Sequence, residues 1–223
     1  MRAVPGLRRI LQFDAGATYP SGSFKLDCIR TVAFAVESLL KILKDDSLGE
    51  IFSFISKGIG PISETPQYEE DKDKFALIRY FAVKGLGHCN TDNALGLLTE
   101  AMTDPHQRVS EIAKEIAAQK LWKAAGDGQI GVVNLLIEKG VEIAATNSSG
   151  QTPLHSASAQ GQKEVAVILI SKGADMNEVD TKHGMTPLDY AISYNHKKTV
   201  KLLVDKGADV NSNKNEWKAT PLY

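Results

Sequence analysis

Apolar residues recur in the second half of the chain with a period of roughly 33 residues. The tripeptide Thr-Pro-Leu marks this period three times, and its leucines Leu154, Leu188 and Leu222 are equally spaced. A fourth frame lies upstream, where Leu121 precedes Leu154 by nearly the same interval and lacks the Thr-Pro. A fixed period of this length indicates a repeat architecture in which each unit covers an apolar face of its neighbour.

Each unit predicts an inner helix, an outer helix and a polar loop. The threonine can cap free backbone N–H groups, and the proline after it suits the first helical turn. Gly161 ends the inner helix where a left-handed residue is needed, and Asn195 can take that role in the next unit. The outer helix carries an apolar stripe made of Val165, Ile168 and Leu169.

The loops repeat as well, as Gly-Ala-Asp-Met-Asn at 173–177 and Gly-Ala-Asp-Val-Asn at 207–211. With the three Thr-Pro-Leu copies in register, residues 119–223 resemble the ankyrin repeat family. The units then span about 119–148, 149–181 and 182–215, with a partial unit at 216–223. The resemblance implies stacked helical repeats with short β-hairpin fingers, and recognition of proteins by the finger tips and the concave face of the inner helices.

The first half of the chain predicts further helices, so the fold class is all-α. Residues 1–24 carry no clear pattern, and residues 25–57 carry helical stripes at i, i+3 and i+4. An acidic stretch at 62–74 reads as an exposed connector. Residues 75–118 resemble a HEAT-like, armadillo-type helical repeat, because a helix is followed there by the Asp104-Pro105 turn and a second striped helix. We therefore predict a HEAT-like region at 25–118.

The junction between the two regions predicts one continuous helix, because the apolar stripe of 113–117 runs on in phase to Leu121 and Ala124. The N-terminal helices would then cap the ankyrin stack and form one α-solenoid with it. The alternative is a flexible joint at 118–120, which the absence of Gly and Pro disfavours. At the other end, Thr220 to Tyr223 begin a helix too short to bury a face, which favours a piece of a longer array over a plug on the third unit.

Charge and composition fit a cytoplasmic interaction protein. The formal net charge of -1 argues against a nucleic-acid binder. The two cysteines, Cys28 and Cys89, lack metal-type spacing, so a reducing compartment is the simpler interpretation. No secretory signal and no apolar run of about 18 residues occur, which predicts no membrane span. We expect a monomer with a protein partner.

The motifs predict no enzyme, no cofactor and no metal. The sequence contains no phosphate loop and no dinucleotide fingerprint. His88 and Cys89 follow two glycines, but a helix end explains those glycines and no further metal ligand is suitably spaced. The ankyrin resemblance gives His155 a structural hydrogen-bonding role. Asp189 and Trp122 stand where the family usually has histidine, and Lys218 stands where the finger usually has glycine.

The candidate protein-binding residues are carried over from the ankyrin resemblance. The inner-helix positions and the finger positions together give Lys123, Asp127, Gln160, Asp180, Lys182, His183, Tyr190, Tyr194 and Trp217. Exposed aromatic residues beside Lys and His would make a hot-spot set. The alternatives are that Tyr190 covers its own stack and that Trp217 packs under a further unit.

Three functions follow as hypotheses. The first is a non-catalytic interaction module or scaffold that binds a protein through the ankyrin surface. The second is a regulatory or targeting segment of a larger enzyme or secreted effector whose catalytic part lies outside this chain. The third, a helical-repeat enzyme or nucleic-acid binder, is disfavoured by the near-neutral charge.

Overall fold

The computed structural model describes residues 76, 79–89 and 91–212. The chain divides into two compact units, Met1–Ala113 and Lys114–Tyr223. Residues 79–86 are helical, and the helices that follow are α1 (Asp92–Ala101), α2 (Gln107–Gly126), α3 (Ile130–Glu138), α4 (Pro153–Ala159), α5 (Lys163–Ser171), α6 (Pro187–Ser193) and α7 (Lys197–Asp205). The predictions for 1–24, 25–57, 62–74 and 216–223 lie outside the described residues.

In the first unit, the turn between α1 and α2 is held by a bidentate ion pair. The guanidinium of Arg79 donates to the carboxylate of Asp104 through Nε at 2.8 Å and Nη2 at 3.2 Å. Paired bonds of this kind fix geometry as well as adding energy. The predicted break at Asp104-Pro105 is therefore confirmed, whereas the HEAT-like interpretation of 75–118 stays a prediction.

Helix α2 is one continuous helix of 20 residues. Its apolar positions recur three or four residues apart, and each is at most 2 % exposed: Val109, Ala113, Ala117, Leu121 and Ala124. The predicted continuation of the helix into the first repeat is confirmed. Residues 118–120 are helical, so the flexible joint considered for them is not found.

In the second unit, the repeats pair inner with outer helices. The inner helices α4 and α6 contact each other, while the outer helix α5 contacts both α3 and α7. Leu154 and Leu188, from the Thr-Pro-Leu copies, are fully buried. The core around Leu188 also receives Ile170 and Met176 from the preceding repeat, so this core is completed by the neighbouring repeat.

The inner helices begin as the sequence predicts. Thr152 and Thr186 are extended N-cap residues whose side chains accept hydrogen bonds from the backbone N–H three residues later, and a proline follows each. Both helices end before a left-handed residue, namely Gly161 with φ of 70° and Asn195 with φ of 59°. Asn195 is the single non-glycine residue with positive φ in the described ranges, and it occupies the predicted glycine position.

The finger loops are tight turns. In the first finger, the N–H of Asn147 donates to the carbonyl of Gln151 at 3.0 Å, and in the second the N–H of Asp180 donates to Met185 at 3.0 Å. Adjacent fingers are joined where Thr181 N–H donates to the carbonyl of Ser149 at 3.0 Å. Within residues 76, 79–89 and 91–212 no strand is formed, so the expected β-hairpin geometry is not confirmed.

The described helices are also too short or too polar to cross a lipid bilayer.

Candidate protein-binding surface

His155 joins two consecutive repeats. Its Nδ1 accepts from the Thr152 N–H at 3.1 Å, and its Nε2 lies 3.0 Å from the carbonyl oxygen of Met185. These partners require a neutral ring that carries its proton on Nε2. Burial lowers the pKa of His155 below its ordinary value near 6.5, which agrees with the neutral form. The structural role expected for His155 is confirmed.

Asp189 takes the same position in the next repeat and completes the same cap. Its Oδ2 accepts from the N–H and from the hydroxyl of Thr186, both at 2.9 Å. The carboxylate therefore replaces the imidazole as a cap for its own helix.

A buried polar network lies under the second finger. The hydroxyl of Tyr190 donates to Oδ2 of Asp180 at 3.1 Å and accepts from Nε2 of Gln151 at 2.6 Å. Oδ1 of Asp180 accepts from the N–H groups of Met185 at 2.7 Å and His183 at 3.3 Å. Burial raises the pKa of Tyr190 above its usual value, so the hydroxyl keeps the proton that it donates.

Two predicted surface residues are therefore interior residues. Asp180 is 2 % exposed and Tyr190 is 8 % exposed. The expectation of exposed side chains there is wrong, because the carboxylate is used to pair backbone N–H groups of its own turn and the phenol ring packs edge-on against His155 at 5.6 Å. The alternative that Tyr190 covers its own stack agrees with this burial.

Tyr194 is the aromatic residue that this network presents to solvent. It is 59 % exposed. Its ring stacks on Tyr190 with centroids 6.5 Å apart and an interplanar angle of 8°. Since Tyr190 is fixed by Gln151 and Asp180, the ring of Tyr194 lies on an anchored support.

The other candidates are spread over the inner-helix ends and the second finger. Lys123, Asp127, Gln160 and Lys182 are exposed, and His183 is half-buried. Trp217 lies outside the described residues. The structure thus brings Asp180, His183, Tyr190 and Tyr194 together by direct contacts.

Gln151 belongs to this site and sequence reasoning missed it. Its amide links the first finger to Tyr190, 39 residues later, and its Oε1 accepts from Nδ2 of Asn147 at 2.9 Å. One feature of the sequence could have indicated this role: Gln151 is polar, whereas the equivalent position in the following repeat is the apolar Met185.

Metal binding and thiol chemistry have little support in the described ranges. No group of three His, Cys, Asp or Glu side chains converges there in a way that could hold a metal ion. Cys89 is buried, and its thiol donates to the carbonyl of Gly85 at 3.8 Å.

Comparison with known proteins supports the repeats. Residues 121–214 match the family described as ankyrin repeats (3 copies). An ankyrin repeat-containing protein of Schizosaccharomyces pombe is 35% identical over 57 residues, which are 26% of this chain and 28% of the relative. An ankyrin repeat and KH domain-containing protein of Caenorhabditis briggsae is 29% identical over 160 residues, 70% of this chain and 6% of the relative.

The chain therefore spans less than a third of either of these two relatives. The predicted ankyrin repeats are confirmed for residues 121–214. Ankyrin repeats are in general protein–protein interaction modules.

Proposed function

We propose that this chain is a non-catalytic protein-interaction module or scaffold that binds a protein partner through its finger tips and inner-helix ends. The observation that carries the proposal is Tyr194, a largely exposed ring stacked on the anchored Tyr190. A large amphipathic side chain that is already ordered loses little conformational entropy on binding, and such residues often dominate interface energies.

The exposed charges of the candidate residues suit a protein better than a polyanion. Lys123 and Lys182 are exposed cations, while Asp127 is an exposed anion. Surfaces that mix both signs give specificity for one partner, whereas nucleic-acid binding needs clustered cations along a backbone track. We propose a cytoplasmic monomer that takes no cofactor and binds no nucleic acid.

Affinity capture from cytosolic lysate tests the proposal. The bait is the 223-residue chain beside a variant with Asp127→Ala, Gln160→Ala, Lys182→Ala and Tyr194→Ala. Tyr190 stays unchanged, because its loss would disrupt the buried network as well as the surface. The matched control carries Ile130→Ala and Val167→Ala, two exposed apolar residues of the outer helices α3 and α5.

We expect a partner that the wild type and the control retain and the inner-surface variant loses. A partner retained equally by all three baits would contradict binding at the inner surface. Circular dichroism of each bait excludes loss of helix as the cause.

A second candidate function is a regulatory or targeting segment of a larger enzyme or secreted effector. The observation that favours it is the small share of the two relatives that the chain covers, 28% and 6%. An antibody raised against residues 121–214 should then detect, in the source cells, a protein much larger than 24.2 kDa. A single band at that mass would contradict this candidate.

A further inference from the structure

Three exposed residues occupy one position in consecutive repeats. Asp127 directly follows α2, while Gln160 and Tyr194 are the C-cap residues of α4 and α6. They recur along the chain in step with the repeat. The position is thus held constant by the fold, while its chemistry changes from carboxylate to amide to aromatic ring.

The three positions lie side by side. Helices α4 and α6 contact each other directly. Gly126, next to Asp127, approaches α4 so closely that a Cβ there would lie 2.5 Å from Oγ of Ser156 and 3.6 Å from Cγ of Gln160. Packed helices are about 8–10 Å apart, which separates Asp127 from Tyr194 by about 20 Å.

The Asp127 end of this row favours a cation. In the described part of the chain, no ion pair joins its carboxylate to Lys123 or to another side chain. It also stands at the C-terminus of the 20-residue helix α2, which is the negative end of the helix dipole. The carboxylate and the helix end would both attract a lysine or arginine side chain of a partner.

The Tyr194 end favours a flat ring. Tyr190 and Tyr194 are nearly parallel, at 8°, so an aromatic side chain of a partner can extend the stack on the exposed face. Offset stacking of this kind adds to the gain from burying the ring. Gln160, between the two ends, offers an amide donor and acceptor to a passing backbone.

We propose, building on the protein-binding function above, that these inner-helix ends bind an extended peptide with a basic residue at Asp127 and an aromatic residue at Tyr194. An extended chain advances by about 3.3 Å per residue, so about 20 Å corresponds to about six residues. The partner motif is therefore a Lys or Arg and an aromatic residue about six positions apart.

Phage display tests this motif, with the full chain as the immobilised target. The library holds random peptides of about 12 residues, which are long enough to span about 20 Å. We expect an enriched consensus that contains both residues at that separation. A synthetic consensus peptide should then lose at least tenfold in affinity on Asp127→Lys and on Tyr194→Ala. It should bind Glu164→Lys and Val167→Ala like the wild type, since both residues are exposed on the outer helix α5.

A consensus without the two residues, or a peptide whose affinity is unchanged by Asp127→Lys and Tyr194→Ala, would overturn the motif. The broader protein-binding function would survive that result if the peptide still lost affinity on the inner-surface variant with Ala at 127, 160, 182 and 194. Failure to enrich any consensus would overturn the motif, and a partner insensitive to that variant in lysate capture would overturn the function.

Discussion

The repeats of α4 and α6 share one cap and differ in the residue that completes it. In both, a threonine caps the helix and a proline opens it. His155 bonds its own cap through Nδ1 and the following repeat through Nε2. The bonds of the Asp189 carboxylate in the described ranges all go to Thr186 of its own repeat.

The difference shows that one motif can serve two purposes. An imidazole has nitrogens on opposite edges of its ring, so a neutral histidine can accept on one side and donate on the other. A carboxylate only accepts, and therefore cannot donate to a carbonyl of the next repeat. The cap is local in both repeats, but only the histidine also couples repeats.

The largest expected effect separates these two roles. His155→Ala removes the bond from Nε2 to the Met185 carbonyl, which then keeps only the Asp180 N–H, and it opens a cavity in the core. We therefore expect a loss of about 3 kcal/mol of unfolding free energy. Asp189→Ala removes a cap alone and should cost about 1 kcal/mol. Urea denaturation of both variants measures the difference, and equal losses would contradict the coupling role of His155.

A second pair tests the ends of the same two helices. Gly161 has φ of 70°, and a Cβ there would meet the His196 ring at 2.5 Å. Gly161→Ala should therefore cost about 2 kcal/mol. Asn195→Gly, at the equivalent position, should change stability by less than about 0.5 kcal/mol, because Asn tolerates the left-handed region and Gly adds unfolded-state entropy. Thermal unfolding would refute this if both changes cost the same.

A reciprocal pair of substitutions in the outer helices α5 and α7 compares a buried threonine with a buried valine. Thr199 is fully buried and its hydroxyl has no hydrogen-bond partner among the described residues, whereas Val165 is the buried residue at the same position one repeat earlier. Thr199→Val should stabilise the protein by about 1 kcal/mol, and Val165→Thr should destabilise it by a similar amount. Calorimetric melting temperatures should move in opposite directions. A fall in the melting temperature of both variants would show that the Thr199 hydroxyl stabilises the folded state.

The smallest expected effect is a pH dependence of stability that arises from the buried ring of His155. Because burial holds the pKa of His155 below that of the unfolded chain, the unfolded state binds the proton more readily between the two values. Stability should therefore fall as the pH drops through the unfolded-state value near 6.5 toward the folded pKa. The difference in unfolding free energy between wild type and His155→Gln, measured from pH 8 to 5, isolates this contribution. A difference that stays constant with pH would contradict the neutral, buried ring.

Local features of the fold could be predicted from the sequence because they depend on neighbours along the chain. Thr152, Thr186 and Asn195 act through backbone groups within a few residues, and the α2 stripe follows helical periodicity. The junction was predictable for the same reason, since the stripe continues without interruption from Val109 to Ala124.

The candidate site was predicted less well because its residues meet across repeats. Position in the repeat suggests exposure for Asp180 and Tyr190. Tyr190 contacts Gln151 and His155, which both belong to the repeat before its own. Asp180 in turn accepts from the Tyr190 hydroxyl and from backbone N–H groups of its own turn. Periodicity gives the position of a side chain on its helix, but it does not show which polar partners complete its hydrogen bonds.

Amide hydrogen exchange with and without a captured partner tests whether proteins bind the inner surface. We expect slower exchange at the inner-helix ends and the second finger, which are residues 123–127, 156–160, 181–184 and 190–195. The outer helices α5 and α7 should keep their free-state rates. Protection confined to the outer helices, or to residues before Lys114, would contradict an inner protein-binding surface.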